Sequence, residues 1–124
     1  MRLDQMAASF GDKVRLFGVY IREAHADGED QVLRNLDEGI IYQQPKTSDE
    51  RAEVAAACML RHNFSFPMLL DNMDNEAEEK YISWPDRLYI IGSDGRIAYQ
   101  GGLGPFYFDV DGFEKALAAL IQTP

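Results

Sequence analysis

The residues Val14–Gly28, VRLFGVYIREAHADG, decide how the fold of this chain is interpreted. Their first part is almost continuously apolar and predicts a strand over Val14–Ile21 that is buried on both faces, as in a parallel sheet. A charged turn with Glu23, His25 and Asp27 follows directly. Ligands of open α/β sheets gather at the carboxyl ends of strands, so this carboxylate and imidazole form the first candidate site.

The overall charge limits the partners of this chain of 124 residues. With 12 basic and 21 acidic side chains the net charge is −9, and a surface of that sign repels nucleic-acid phosphates and anionic lipids. We therefore expect no nucleic acid and no membrane among its partners. No stretch approaches the roughly 20 apolar residues that cross a bilayer, and the length predicts a single domain over residues 1–124.

Cysteine usage and the N-terminal residues predict a cytoplasmic location. Cys58 is the only cysteine of the sequence, so neither an internal disulfide nor a Cys-x-x-Cys redox pair is expected. The first ten residues, MRLDQMAASF, lack the basic and apolar regions of a signal peptide. Both observations fit a reducing compartment.

Three helices have clear sequence signals. The first carries Leu3, Met6, Ala7 and Phe10 on one face and ends at Gly11. Thr47–Glu50 has the form of a capping box before a helix over about 48–62. Asp111–Glu114 is expected to cap a last helix, whose apolar stripe is Phe113, Leu117, Leu120 and Ile121. Weaker patterns predict a helical turn at 31–38 and an exposed acidic helix at 74–80.

The remaining strands are short. The apolar run Phe66–Leu70 predicts an extended segment that ends at Asp71. Arg87–Ile91 and Arg96–Gln100 are joined by Gly92-Ser-Asp-Gly95, a strong hairpin turn signal, and should pair antiparallel.

This order of elements matches the later part of a thioredoxin-type α/β fold, and several segments resemble one family. Tyr20-Ile-Arg-Glu-Ala-His25 resembles the Y-I-x-E-A-H segment of the iodothyronine deiodinases and their bacterial redoxin-like relatives. Pro67 with Asp71–Asn75 resembles the family's P-x-x-x-D-x-M-D-N segment. Tyr81 and then Arg87–Ile91 resemble its R-L-Y-V-I region, and Gly95–Pro105 resembles G-x-I-x-Y-x-G-G-x-G-P.

The resemblance implies an α/β fold, a thioredoxin-like three-layer sandwich, and reductive chemistry at a cysteine or selenocysteine. It implies catalytic roles for Glu23 and His25, with Tyr20, Trp84 and Pro85 in the wall of the site. Imidazole titrates near neutral pH and can transfer a proton, while Glu23 orients it or acts as the acid partner. Thioredoxin-like folds often hold a cis-proline at the position of Pro85, and for Trp84–Pro85 both isomers stay open.

The resemblance also implies that the sheet is incomplete. The family nucleophile lies in an upstream loop to which no residue here corresponds, so the fold is expected to be N-terminally shortened and to lack the central strand before that nucleophile. That strand would lie between the strands Val14–Ile21 and Arg87–Ile91. Either these two pair directly, or a second chain fills the gap, or the natural gene begins upstream. Because an unpaired strand edge invites association, we expect a homodimer.

Several differences from the family pattern bear on the substrate. A single residue separates the E-A-H segment from Asp27-Gly28, and Glu29 replaces a Trp. A second family His is replaced near Pro45, and Leu103 stands where hormone-cleaving members are expected to carry Arg. We therefore expect a small-molecule substrate other than an iodothyronine.

Other candidate residues have simpler interpretations. Cys58 and His62 are four residues apart and would share a helical face, as a thiolate–imidazole pair requires, but a lone cysteine in an alanine-rich helix is usually buried and inert. The spacing of Glu23, His25 and Asp27 is not that of a recognised metal site, so no metal and no cofactor are predicted. Glycines 101, 102 and 104 favour turns over a nucleotide-binding loop.

Two functions follow from these observations. The first is a deiodinase-like or redoxin-like thiol oxidoreductase domain, shortened or catalytically silent. The alternative is a non-enzymatic binding or assembly module that uses the retained E-A-H pocket or an open strand edge. An in-frame upstream strand with a Cys-containing loop would favour the first function over the second.

Overall fold

The computed structural model describes residues 2–22 and 44–122, apart from the side chain of His62. The chain forms two compact units, one of Met1–Leu16 with Pro85–Pro124 and one of Phe17–Trp84. The predicted helical turn at 31–38 lies outside the described residues. None of the helices within the described ranges has the length and apolar character needed to cross a bilayer.

The first unit contains helix α1 (Arg2–Phe10), strands β3 (Tyr89–Ile91) and β4 (Ile97–Gln100), and helix α4 (Val110–Gln122). A 3₁₀ turn at Gly11–Lys13 ends α1, as predicted, and Gly11 has a φ of +54°. The β3–β4 pair is antiparallel, which confirms the predicted hairpin.

The core of this unit joins all of these elements. Met6 of α1, Ile90 of β3 and Phe113 and Leu117 of α4 are buried together. Residues of the same helices and strands pack around them: Leu3, Phe10, Val14, Leu88, Tyr99, Val110, Ala116 and Ile121. The Arg2 guanidinium also binds the carboxylates of Asp111 and Glu114, which raises the pKa of Arg2 through the hydrogen bonds to Glu114 and Asp111.

Two details of α4 differ from the sequence predictions. The helix is capped by Asp109, whose Oδ1 accepts a hydrogen bond from the backbone N–H of Gly112 at 3.0 Å, and Asp111 lies inside the first turn. Asp109 and Asp111 each follow an apolar residue, so the local sequence does not show which of them caps the helix. Leu120, predicted on the apolar stripe, is 43% exposed.

The second unit contains β1 (Gly18–Tyr20), helix α2 (Ser48–His62), β2 (Met68–Leu70) and helix α3 (Glu76–Tyr81). Strands β1 and β2 are parallel, with Val19 opposite Leu69. The predicted strand from Val14 is wrong in length, because the ladder covers three residues and Val14 packs in the core of the other unit. Its predicted burial on both faces is also wrong, because Phe17 and Val19 are about half exposed.

The start of α2 follows the capping prediction with one change. Thr47 Oγ1 accepts a hydrogen bond from the backbone N–H of Glu50 at 3.1 Å. The Glu50 carboxylate accepts one from the N–H of Lys46 at 2.7 Å, one residue before the cap. On α2, Ala55 is buried while Leu60 is 85% exposed, so one side of this helix faces the unit and another faces solvent.

The open alternative for Trp84–Pro85 can now be decided. The cis peptide bond within the described residues is Gly104–Pro105, and Trp84–Pro85 is not cis. Each unit contains one pair of strands, β1 with β2 and β3 with β4. The expectations about the incomplete sheet stay predictions.

Truncation of Leu117 tests the core of the first unit. We expect Leu117→Ala to lower the free energy of unfolding by about 2–5 kcal/mol, because it leaves a cavity beside Met6, Ile90 and Phe113. Leu120→Ala, on the same helix but exposed, should change it by less than about 1 kcal/mol. Urea unfolding followed by circular dichroism measures both, and equal losses would contradict this core assignment.

Candidate functional site

The candidate site lies at the carboxyl ends of the parallel strands β1 and β2. The backbone N–H of Asp71, just after β2, donates to the carbonyl of Tyr20, the last residue of β1, at 2.9 Å. The chain then leaves β1 through Ile21 and Arg22, and Glu23 is the next residue of the sequence. The end of β1 thus fixes where the E-A-H segment begins.

The sequence-predicted site residues fall into two groups. Glu23 and His25 lie outside the described residues, so their predicted roles stay predictions. Tyr20 is half-buried at the end of β1, and Trp84 is 38% exposed in the same unit. Pro85 follows Trp84 and begins the second segment of the other unit.

Arg22 brings Trp84 to the end of β1. Its guanidinium carbon lies 4.9 Å from the centroid of the Trp84 ring, within the range of a cation–π interaction. One guanidinium nitrogen is 3.5 Å from Oε2 of Glu78 on α3. The residue immediately before Glu23 is therefore held by an aromatic ring and a carboxylate.

Glu78 is an unusual residue for a helix surface, since it is only 9% exposed. Its Oε1 has no hydrogen-bond partner among the described residues. Burial of a carboxylate oxygen without a partner costs free energy, so the position of Glu78 must be fixed by the rest of the helix. The acidic helix predicted at 74–80 was expected to be exposed, and at Glu78 that prediction is wrong.

Asp71 fixes α3. Its Oδ1 accepts hydrogen bonds from the backbone N–H groups of Asn72 and Ala77, both at 2.9 Å, and its Oδ2 accepts one from Glu78 at 3.0 Å. Asn75 precedes the helix in a left-handed conformation and makes no side-chain cap. The buried Asp71 carboxylate takes over the capping role, and negative charge is favourable at a helix N-terminus.

Arg51 of α2 holds the loop between β2 and α3. It is 2% exposed, and its guanidinium donates to the carbonyls of Asp71 and Asn72 at 3.3 and 2.8 Å and to Oδ1 of Asn75 at 3.0 Å. Its Nε has no partner within the described ranges. A cation this deeply buried needs such a set of acceptors, so the loop and Arg51 depend on each other.

One pair on α3 shows shifted ionisation. Lys80 donates a hydrogen bond to Glu76 at 2.7 Å, which lowers the pKa of Glu76 and raises that of Lys80. Because the pKa of Glu76 is lowered, the pair stabilises the fold above the ordinary pKa of Glu. This stabilisation is lost as the pH falls through the lowered pKa of Glu76. Both side chains are exposed, so the pair contributes little.

The Cys58–His62 pair and the Glu23–His25–Asp27 set both stay predictions, because each includes residues outside the described part of the chain. Cys58 is half-buried on α2, and His62 ends the same helix, where its side chain is not described. No group of three His, Cys, Asp or Glu residues within 2–22 and 44–122 is placed to hold a metal ion.

Sequence reasoning missed the supporting residues Arg22, Arg51 and Glu78. Arg22 occupies the variable position of Y-I-x-E-A-H, and Glu78, its partner, lies more than fifty residues away in sequence. Local patterns carry no signal for such a contact. Asp71 and Asn75 belong to the quoted P-x-x-x-D-x-M-D-N segment, and a carboxylate six residues before Ala77 is a weak sign of a distant cap.

Replacement of Asp71 tests the cap. We expect Asp71→Asn to lower the free energy of unfolding by about 2–4 kcal/mol, because the new amide group faces the N–H of Glu78 and can only donate. Asp74→Asn, an exposed change in the same loop, should cost less than about 0.5 kcal/mol. Urea denaturation compares the two variants, and a similar effect of both would refute the capping role.

Comparison with known proteins gives the family. The sequence model of the iodothyronine deiodinases matches residues 2–120. Type I iodothyronine deiodinase of Xenopus laevis is 38% identical over 88 residues, which cover 71% of this chain and 32% of that protein. Thyroxine 5-deiodinase of Gallus gallus is 33% identical over 103 residues, with 82% and 37% covered.

A third relative gives the same result. Type II iodothyronine deiodinase of Sus scrofa is 34% identical over 96 residues, which cover 74% of this chain and 35% of that protein. The chain thus spans about a third of the length of these curated relatives. Because the family model extends over almost every residue, the chain belongs to the iodothyronine deiodinase family.

Proposed function

We propose that this chain forms the substrate-binding and proton-transfer part of a deiodinase-like thiol oxidoreductase. The observation that supports it is the anchoring of Arg22 by Trp84 and Glu78, directly before the E-A-H segment, in a chain of this family. We also propose the thioredoxin-like arrangement, for which a parallel pair and an antiparallel hairpin are suitable parts.

The proposed reaction replaces a carbon–halogen bond by a carbon–hydrogen bond. A thiolate or selenolate removes the halogen from the substrate carbon, and the carbon takes up a proton. A second thiol then attacks the sulfur–halogen or selenium–halogen species and releases halide, and the two chalcogen atoms form a bond that further thiol reduces. By family resemblance, His25 transfers the proton and Glu23 orients the His25 imidazole.

The proposed substrate is a small iodinated aromatic compound. The relatives are named as iodothyronine and thyroxine deiodinases. Leu103 stands where hormone-cleaving members are expected to carry Arg, which argues for a substrate without the anionic amino-acid part of the hormone.

Iodide release tests this function. The chain is incubated with 2,6-diiodophenol, excess dithiol and a small-molecule selenol that supplies the attacking atom in solution. We expect the wild type to release iodide faster than the same mixture without protein. His25→Asn should lower this protein-dependent rate by about 100-fold or more, since a positioned acid contributes about 10²–10⁴-fold.

Glu23→Gln should lower the rate less than His25→Asn, because a residue that only orients the imidazole leaves its proton transfer possible. Glu53→Gln, an exposed change on α2, is the matched control and should keep the wild-type rate. Equal rates for wild type and His25→Asn would overturn the proposal.

The second candidate is an assembly module, and one observation favours it. Val19 and Leu69 are neighbours across the β1–β2 ladder, and both are about half exposed, as is Phe17. Contiguous exposed apolar side chains on a sheet face are typical of interaction surfaces. We propose a second copy of the chain as the partner.

Leu69→Lys tests this second candidate. Sedimentation of the wild type should give a dimer that Leu69→Lys converts to a monomer, because a charge on that face cannot be buried. Leu60→Lys, at a more exposed site on α2, should leave the dimer intact. A monomeric wild type at high concentration would contradict self-association.

A further inference from the structure

The turn that ends α3 carries backbone strain at Ile82. Three residues other than glycine have a positive φ within the described ranges, Asn63, Asn75 and Ile82. Asparagine enters the left-handed region more readily than other side chains, whereas a β-branched residue there is a steric outlier. The Ile82 side chain is also 65% exposed, so burial of apolar surface offsets only part of that cost.

Helix α3 carries a second unfavourable feature at Glu78. This residue is only 9% exposed, and its Oε2 lies 3.5 Å from the Arg22 guanidinium, which is longer than a normal charge-assisted hydrogen bond. Burial of a carboxylate costs free energy, and that cost is recovered when water reaches the group. A movement that takes the end of α3 away from the protein would therefore relieve both Glu78 and Ile82.

The contacts that hold the C-terminal end of α3 are of a weak kind. The N–H groups of Ile82 and Ser83 donate to the carbonyl of Glu78, the second at 3.1 Å. Beyond this turn, the Trp84 ring centroid lies 4.9 Å from the guanidinium carbon of Arg22. Hydrogen bonds of a single turn and a partly exposed cation–π contact stabilise a segment only slightly, so this part of the unit can open locally.

We infer that residues 76–84 form a strap, a conformational device with a closed and an open position at the end of β1. In the closed position Trp84 lies beside Arg22, and Ile82 is held in the left-handed conformation. In the open position that contact is broken, Ile82 returns to an ordinary backbone conformation and Glu78 reaches water. A ligand or partner that binds one position better than the other shifts the balance towards it.

Amide hydrogen exchange of the whole chain tests the strap. The amides of Ile82 and Ser83 should exchange through local opening, so their rates should stay nearly constant at low urea concentrations. The same urea should speed the exchange of amides around the buried Ala55 of α2, which need a larger unfolding. If the rates of both groups rise together, the strap does not open separately and the inference is overturned.

Substitutions at Ile82 separate strain from packing. Ile82→Gly and Ile82→Asn both suit the left-handed conformation, so each should raise the protection factor of the Ser83 amide about fivefold. Glycine also adds backbone freedom to the open position and asparagine does not, so agreement between the two identifies relief of strain. Ile82→Val keeps the β-branched side chain and is the matched control, which should stay within about twofold of wild type.

The single tryptophan reports the other end of the strap. Acrylamide quenching of Trp84 fluorescence should decrease in Ile82→Gly, because the closed position is favoured. Arg22→Gln removes the cation–π contact, so it should increase this quenching and lower the protection factor of the Ser83 amide about threefold.

The outcomes of these measurements decide the inference without reference to the proposed function. Unchanged Ser83 protection in Ile82→Gly and Ile82→Asn, or equal protection in Ile82→Val, would overturn it. Increased Ser83 protection with unchanged Trp84 quenching would also overturn it, because the turn and the Trp84 contact would then move independently. Iodide release enters none of these readouts, so loss of the proposed activity would leave the strap unaffected.

Discussion

The Asp71 carboxylate is the group on which the described part of the site depends. It accepts three backbone N–H groups, from Asn72, Ala77 and Glu78, and thereby joins the end of β2 to the start of α3. Helix α3 has six residues and no cap from Asn75, and a helix of that length is not stable alone in water. The position of Glu78, and through it that of Arg22, follows from this cap.

The charges of two arginines in the same region, Arg51 and Arg22, are balanced by different kinds of partner. Arg51 is buried and donates to two carbonyls and one amide oxygen, whereas Arg22 is partly exposed and uses an aromatic ring with a more distant carboxylate. The first arrangement satisfies most of its donors within the protein and suits a structural role. The second leaves part of the guanidinium in reach of solvent.

Local signals in the sequence predicted most elements of the fold. The capping residue Thr47, the Gly92–Gly95 turn and the apolar stripe of α1 each act within a few residues, so they could be read directly. The length and burial of β1 could not be read from the sequence. A strand ends where its partner ends, and its exposure depends on which elements cover it. The cap of α4 could not be read directly either. Asp109 and Asp111 both suit a cap, and only the backbone shows that Asp109 accepts the hydrogen bond from Gly112.

The site was predictable to a smaller extent. Family resemblance selected Glu23, His25, Tyr20 and Trp84, but the Arg22–Glu78–Trp84 contacts join residues far apart in the chain and have no periodic pattern.

The turn that follows α3 has a consequence for the order of folding. Ile82, a β-branched residue, adopts a left-handed conformation with φ of 49° and ψ of 57°, and its N–H donates to the carbonyls of Glu78 and Glu79. Such a residue disfavours this turn, so neither end of α3 can form from local preferences. We expect the segment from α3 to Trp84 to become ordered only after β2 has placed Asp71. The cation–π contact of Trp84 with Arg22 then forms among the last contacts made as this unit folds.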